Sequence, residues 1–104
     1  MDNLELSSFK IISAVGMAKS SYIEAMNAAE KGNFDLASEK IKEGENFFSE
    51  GHEGHSQLIQ QEASGDSVTV SLLLMHAEDQ LMSAETIKIM AQQVIKLNKR
   101  IQNL

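Results

Sequence analysis

In the last third of the chain, apolar residues recur at alternating steps of three and four. This spacing is typical of the contact face of a coiled-coil-like helix. Upstream of Ile87, the same track passes through three polar positions, Ser83, Gln80 and His76, and then returns to Leu73. The pattern predicts a long helix whose apolar face has one polar gap that contains His76. The remaining apolar members of this first stripe are Met90, Val94, Leu97, Ile101 and Leu104.

A second stripe runs beside the first and is interrupted by a carboxylate, Asp79. On a helix, His76 and Asp79 lie about 60° apart around the axis, because three steps of about 100° fall short of a full turn. An imidazole and a carboxylate at positions where packing favours hydrophobes indicate a functional site. The second stripe consists of Leu72, Met75, Asp79, Met82, Thr86 and Ile89.

The chain divides into three helical segments and two tight turns. Gly32 can adopt the left-handed conformation past a helix end, and Asn33 is a good N-cap for the next helix. Residues 64–67 form the second turn, with Asp66 or Ser67 as the cap of the third helix. There is no proline, which suits long helices. The prediction is an all-α, antiparallel three-helix bundle in a single domain, 1–104, with helices at about 4–31, 34–62 and 68–102.

The apolar stripes of the third helix and the glycines of the second helix predict self-association and close helix packing. The third helix has apolar stripes on more than one side, and a lone three-helix bundle needs only one. We therefore expect one stripe to face the protomer's own core and the other to face sister subunits. Glycine costs about 0.8–1 kcal/mol relative to alanine inside a helix. Gly44, Gly51 and Gly54 thus predict close helix approach or access to a site.

Composition narrows the classes of function. The chain has 104 residues, of which 42% are apolar, and no cysteine, which excludes disulfides and thiolate chemistry. A net charge of −6 without a basic run argues against a nucleic-acid partner. No apolar run reaches the length of a membrane span, and the N-terminus does not resemble a signal peptide. These features predict a cytoplasmic protein.

The chemistry open to His76 is nucleophilic. A neutral imidazole can attack phosphorus, and the resulting phosphoramidate remains energetic because the nitrogen leaves readily once protonated. A carrier histidine needs an exposed surface that two partners reach in turn. The alternative is a core histidine that Gln80 or Ser83 satisfies by hydrogen bonding, and spacing alone leaves both open.

A carboxylate in an apolar stripe is costly unless it is paired, neutralised or bound to a cation. If the second stripe is a symmetric interface, copies of Asp79 converge on the axis, where they require a divalent metal or shared protons. The alternative is an aspartate that points into solvent beside His76.

The other two histidines, His52 and His55, lie three residues apart. This spacing is one residue short of the HExxH zinc motif. Such a pair can bind metal, but a pair that lies on the surface or faces a partner is favoured. His55 shares a heptad track with Phe48 and Leu58, so it is expected to face inward.

No phosphate loop, catalytic triad or nucleotide motif is present, so an independent enzyme with a small-molecule pocket is not supported.

The stretch Val70–Met82 resembles the active-site helix of the lactose/cellobiose family of enzyme IIA. These proteins are components of the bacterial phosphoenolpyruvate-dependent sugar phosphotransferase system. The resemblance rests on a His-Ala-x-Asp-x-Leu-Met run that starts at His76. The likeness to the family extends over nearly the whole chain. Gly32-Asn33-Phe34 is similar to the family's first interhelical turn, and Leu58-Ile59-Gln60 precedes its second.

The resemblance implies a phosphoryl carrier. His76 would accept the phosphoryl group from the phosphocarrier HPr and pass it to a cysteine of a IIB component, which phosphorylates the sugar during transport by IIC. The sugar would be a β-linked disaccharide such as lactose, cellobiose or chitobiose. A homotrimeric nine-helix bundle is also implied, with Asp79 of each subunit at a divalent metal, often magnesium, on the three-fold axis.

The chain departs from the family pattern next to His76. Many members carry a second histidine where this chain has Gln80, and a glutamine where it has Glu78. Gln80 can still donate a hydrogen bond to a phosphoryl oxygen but cannot add positive charge. His52 lies on the helix that lines the family's active-site groove and is a second candidate phosphate neighbour.

Two other classes of function remain as alternatives. In a non-catalytic helical adaptor, His76 and Asp79 would only specify register. In a metal-binding bundle, His52, His55 and His76 would supply the ligands.

Overall fold

The computed structural model describes residues 2–104, which form three helices. Helix α1 spans Asn3–Glu30, α2 spans Phe34–Ala63 and α3 spans Leu72–Gln102. The bundle is elongated, with extents of 56 × 23 × 19 Å. The predicted all-α three-helix architecture is confirmed. Met1, the first residue of the predicted domain 1–104, lies outside the described residues.

Both turns end their preceding helix in the same way. Gly32 has φ of 79°, and Gly65 has φ of 94°. At the first turn, the N–H of Gly32 donates to Ala29 O and the N–H of Asn33 donates to Ala28 O, at 3.0 and 2.9 Å. This Schellman arrangement requires the left-handed conformation that glycine adopts without strain. Asn33 then caps α2 through its side chain, as predicted.

The predicted start of α3 at residue 68 is wrong. The helix begins at Leu72, and its N-cap is Ser71 rather than Asp66 or Ser67. Ser71 Oγ accepts a hydrogen bond of 3.1 Å from Leu74 N. The residues Val68-Thr69-Val70 are β-branched and favour extended backbone, so the helix starts only where the next capping side chain is available.

The buried face of α3 is neither of the two stripes expected from the sequence. It is an alanine-rich face that adjoins the first stripe and lies nearly opposite the second. This face packs against Ile11 and Val15 of α1. In the first stripe, Ile87 and Val94 are only half-buried. The expectation that one of the two stripes fills the protomer's core is therefore wrong. The buried residues of α3 are Leu74, Ala77, Leu81, Ala84 and Ala91.

Close packing between α1 and α2 depends on the glycines of α2. A Cβ on Gly44 would lie 2.4 Å from Tyr22 Cε1, and one on Gly51 would lie 2.7 Å from Val15 Cγ1. Because such distances are not tolerated, both positions require glycine for this helix separation. The close approach predicted from the glycine pattern is confirmed.

The second stripe of α3 is exposed along its whole length. Leu72 is 82% exposed, Met75 57% and Met82 60%. An apolar surface of this extent on one side of a single chain is typical of an interaction surface. Assembly through this stripe stays a prediction. None of the three helices in the described chain combines the length and the apolar character that a bilayer-spanning helix requires.

Candidate functional site

His76 occupies the second turn of α3, close to the end that Ser71 caps. Its side chain is exposed. Side chains on a helix lean toward its N-terminus, so the imidazole leans over the first turn. That turn contains no acidic residue, and unpaired N–H groups at a helix N-terminus favour a nearby negative charge. The location is therefore compatible with a histidine that becomes anionic by phosphorylation.

The imidazole of His76 makes no hydrogen bond with another side chain in residues 2–104; Gln80 and Ser83 do not contact it in this way. The alternative of a core histidine satisfied by these two residues does not hold, because His76 is exposed and unpartnered. An imidazole that is free at both nitrogens can act as a nucleophile without first losing a partner.

Gln80 is held by a residue of another helix. Its Oε1 accepts a hydrogen bond from Nζ of Lys19, on α1. Helices α1 and α3 run parallel: Ile11 packs near Ala77, and Tyr22 packs near Ala91. Because helical side chains lean toward the N-terminus, Lys19 extends toward the end of α3 that carries His76.

Sequence reasoning missed Lys19. It lies four residues after Val15, at the border of the buried face of α1, and its side chain is half-buried. A lysine at the border of a buried helix face was the sequence signal that could have indicated it. Long cationic side chains lay their apolar stems on the protein surface and place only the charged head group at the edge of the helix contact. Which edge it reaches depends on the packing of α3.

Asp79 lies in the second stripe, between Met75 and Met82, and is exposed in the single chain. Apolar side chains, both more than half exposed, flank the carboxylate on the same face. The single chain does not decide between an axial carboxylate and one that points into solvent.

The structure separates His55 from His76. His55 Nδ1 lies 2.5 Å from Oε2 of Glu78, and the two side chains are 30% and 27% exposed. Nδ1 of His55 has no hydrogen-bond partner within residues 2–104, so this is a close contact between the two side chains rather than a hydrogen bond. Glu78 lies about 160° around α3 from His76, at about 100° per residue. The prediction that His55 faces inward is confirmed.

The contacts of His52 stay within α2. Its ring lies edge-on to Phe48 and His55, with centroids 6.1 Å away in each case. Ser56 Oγ lies 3.4 Å from His52 Nδ1. Within one chain, the structure therefore does not join His52 to His76. No three histidine or carboxylate side chains converge on a metal-sized site anywhere in residues 2–104, so the metal-binding bundle finds no support in a single chain.

The surroundings of His76 are an open surface. A cavity of about 750 Å³ lies between the start of α1 and the α2–α3 connection. It is lined by Asp2, Leu4, Asp66 and Thr69, among others, but not by His76. An exposed histidine on a helix face is accessible to a macromolecular partner, whereas a small-molecule site usually encloses its ligand.

The sequence matches one protein family over most of its length. Residues 6–99 match the family described as "PTS system, Lactose/Cellobiose specific IIA subunit". The lactose-specific EIIA component of Staphylococcus aureus (strain N315) is 33% identical over 99 residues, which cover 95% of this chain and 96% of the relative. The lichenan-specific enzyme IIA component of Bacillus subtilis (strain 168) is 37% identical over 96% of this chain and 91% of the relative.

Solved structures agree with the sequence match. The crystal structure of the cellobiose-specific enzyme IIA from Bacillus anthracis has a TM-score of 0.96 and 35% identity, and covers 99% of this chain and 94% of that chain. PtcA from S. mutans has a TM-score of 0.91 and 31% identity, and covers 95% of this chain and 99% of that chain. The family match and the fold define a component of the sugar phosphotransferase system. The chain belongs to the lactose/cellobiose-specific IIA family of that system.

Proposed function

We propose that this IIA component is a phosphohistidine carrier, with His76 as the phosphorylated residue. HPr is the donor, and the acceptor is a cysteine of the cognate IIB component, which acts with the membrane transporter IIC. The observation that carries the proposal is an exposed imidazole without a hydrogen-bond partner, in the polar gap of the first stripe.

The transfer consists of two displacements at phosphorus. A ring nitrogen of neutral His76 forms a bond to phosphorus as the bond between phosphorus and HPr breaks. In the second step, the thiolate sulfur of IIB forms the new bond and the nitrogen of His76 leaves. Docking of each partner supplies the in-line orientation, which is the main protein contribution to phosphoryl transfer.

The assembly that goes with this function is a homotrimer, a nine-helix bundle. The exposed second stripe supplies the apolar contact surface, and Asp79 is its one carboxylate. Three copies of Asp79 would place hard oxygen ligands on the three-fold axis, a donor set that suits Mg²⁺. Bound there, the metal would neutralise the repulsion between the carboxylates; it has no part in the transfer steps.

The transported sugar is a β-linked disaccharide such as lactose, cellobiose or chitobiose. Relatives named for lactose and lichenan, and a structural neighbour named for cellobiose, support this class. The donor and the acceptor both act inside the cell, so the proposal places the protein in the cytoplasm.

The test is transfer of label from radioactive phosphoenolpyruvate through enzyme I and HPr. We expect an acid-labile, alkali-stable label on the wild-type protein and on His52→Ala, and none on His76→Ala. Label that persists on His76→Ala would show that His76 is not the carrier. Light scattering tests the trimer independently, and a monomer at micromolar concentration would contradict it.

The non-catalytic adaptor is the second candidate, and His76→Gln separates the two. An adaptor keeps its function with glutamine at this position, because glutamine preserves a polar side chain in the first stripe. A carrier loses sugar uptake completely, because an amide nitrogen is not a phosphoryl acceptor.

A further inference from the structure

Lys19 is a cation that no carboxylate neutralises within residues 2–104. The ion pairs of the described chain involve Lys40, Lys88 and His55. The partner of Lys19 is instead the neutral amide of Gln80. The positive charge of the Lys19 ammonium is therefore not paired with a carboxylate of residues 2–104, although the chain as a whole has a net charge of −6.

The amide that holds this ammonium belongs to Gln80, one helical turn from His76. Gln80 follows His76 by four residues, and side chains at that spacing are neighbours on one face, with Cβ atoms about 6 Å apart. Lys19 reaches the face from α1 and leans toward the N-terminal end of α3, where His76 is located. A lysine side chain has enough rotatable bonds for its ammonium to move from the Gln80 amide to a group on His76.

We propose that Lys19 binds the phosphoryl group carried by His76, and that Gln80 holds the ammonium in place until that group arrives. The proposal rests on the proposed carrier function. A phosphoryl group has close to two negative charges near neutral pH. A hydrogen bond between an ammonium and an anionic oxygen is roughly twice as strong as one to a neutral acceptor. Lys19 therefore exchanges the amide for the phosphoryl oxygens.

The bond to Lys19 also orients Gln80. Because an ammonium only donates, Oε1 of Gln80 must face it, and the two hydrogens on Nε2 remain available as donors. The site then offers one cation, Lys19, and one neutral donor, Gln80, to the phosphoryl oxygens. Gln80 adds no positive charge by itself, so Lys19 supplies the charge that balances the phosphoryl group.

The experiment compares Lys19→Met, Lys19→Arg and Lys10→Met in the full chain. Lys10 lies nine residues before Lys19, about 180° around α1, and is exposed, so its replacement changes the net charge equally at a distant place. The readouts are the equilibrium constant for phosphoryl exchange with HPr and the pKa of the phosphoryl group by phosphorus NMR. Circular dichroism checks folding.

We expect Lys19→Met to lower the equilibrium constant for the phosphorylated form about tenfold, the effect of one charge at short range in a partly solvated site. The same variant should raise the pKa of the phosphoryl group. Lys19→Arg and Lys10→Met should stay close to the wild-type values, since the first keeps the charge and the second lies on the opposite side.

If Lys19→Met and Lys10→Met behave alike on a protein that is labelled at His76, the role of Lys19 is refuted while the carrier function stands. Equal losses in Lys19→Met and Lys19→Arg would also overturn it, because charge would then not be the cause. A wild-type protein that accepts no label would instead remove the carrier function itself.

Discussion

The ring of Tyr22 packs directly on the backbone of Gly44: a Cβ built at Gly44 would lie 2.4 Å from Cε1 of that ring. Tyr22 is completely buried, with 0% of its surface exposed. The ring therefore has no space into which it could retreat. This contact fixes the separation of α1 and α2 at the middle of the bundle, and α1 in turn carries Lys19 to the site.

Gly44→Ala should destabilise the fold. Overpacking in a filled core costs about 1–3 kcal/mol, whereas the helix propensity of alanine returns at most about 1 kcal/mol. Urea denaturation at one fixed protein concentration measures the free energy of unfolding. The matched control is Gly16→Ala, at a helical glycine whose Cβ would meet no atom within 4 Å; it should stabilise by about 0.5–1 kcal/mol. Equal effects of the two substitutions would contradict the close contact.

Tyr22→Phe should remove a loss of stability at alkaline pH. Burial, and then the negative charge of Glu45, raises the pKa of Tyr22 from 10.0 to about 12. Between these values, the unfolded chain loses the phenolic proton and the folded chain keeps it, so the free energy of unfolding falls as pH rises. Below pH 10 the shift contributes nothing to the pH dependence.

The hydroxyl of Tyr22 has no hydrogen-bond partner within residues 2–104, so Tyr22→Phe should not weaken the fold at neutral pH. Denaturation across the alkaline range should give a flatter profile for the variant than for the wild type. Tyr22 is the only tyrosine, and there is no tryptophan, so ultraviolet absorbance of tyrosinate reports its ionisation directly. Ionisation near pH 10 in the folded protein would contradict the prediction.

Ser21→Ala should raise the pKa of Glu43. The buried Ser21 hydroxyl donates a hydrogen bond of 2.9 Å to Glu43 Oε2. This bond, followed by that from Lys40, lowers the pKa of Glu43. A lowered pKa in the folded state gives stability above the ordinary pKa of glutamate, and this stability is lost as pH falls through the folded value. The variant should therefore lose less stability on acidification.

Carboxyl NMR titration measures the pKa of Glu43 directly. Lys40→Met is the comparison, because it removes the hydrogen bond and the charge of the ammonium, the other influences that lower this pKa, and keeps the Ser21 hydroxyl. An unchanged pKa of Glu43 in Ser21→Ala, beside a raised pKa in Lys40→Met, would show that the ion pair, rather than the buried hydroxyl, controls this carboxylate.

Asp79→Leu should abolish binding of a divalent metal and leave the proposed trimer intact or more stable. Replacing paired or converging charges by packed apolar groups is often neutral or stabilising, and leucine continues the second stripe between Met75 and Met82. Metal analysis by calorimetry and oligomeric state by sedimentation are the readouts. Glu85→Leu, on a different face of α3, is the control and should retain metal. An Asp79→Leu protein that binds metal equally well would refute the axial site.

The features that depend on local chemistry follow from the amino-acid sequence alone. Gly32 and Gly65 end their helices in the left-handed conformation because no other residue adopts it without strain. The short motif that starts at His76 identified the family, because a motif of this kind is specific to the family even without the rest of the chain. Both signals are encoded in neighbouring residues and need no knowledge of packing.

How the helices face one another depends on the packing of the whole fold. Alanines line the buried side of α3, and α1 and α2 approach closely at Gly44 and Gly51. Of the bulkier apolar stripes that dominate the sequence pattern, the first lies at the edge of the core and the second remains outside. The contact between Lys19 and Gln80 likewise joins residues 61 positions apart. Which side chains meet across two helices depends on their rotation and register, and these follow from the fit of the whole core rather than from either helix alone.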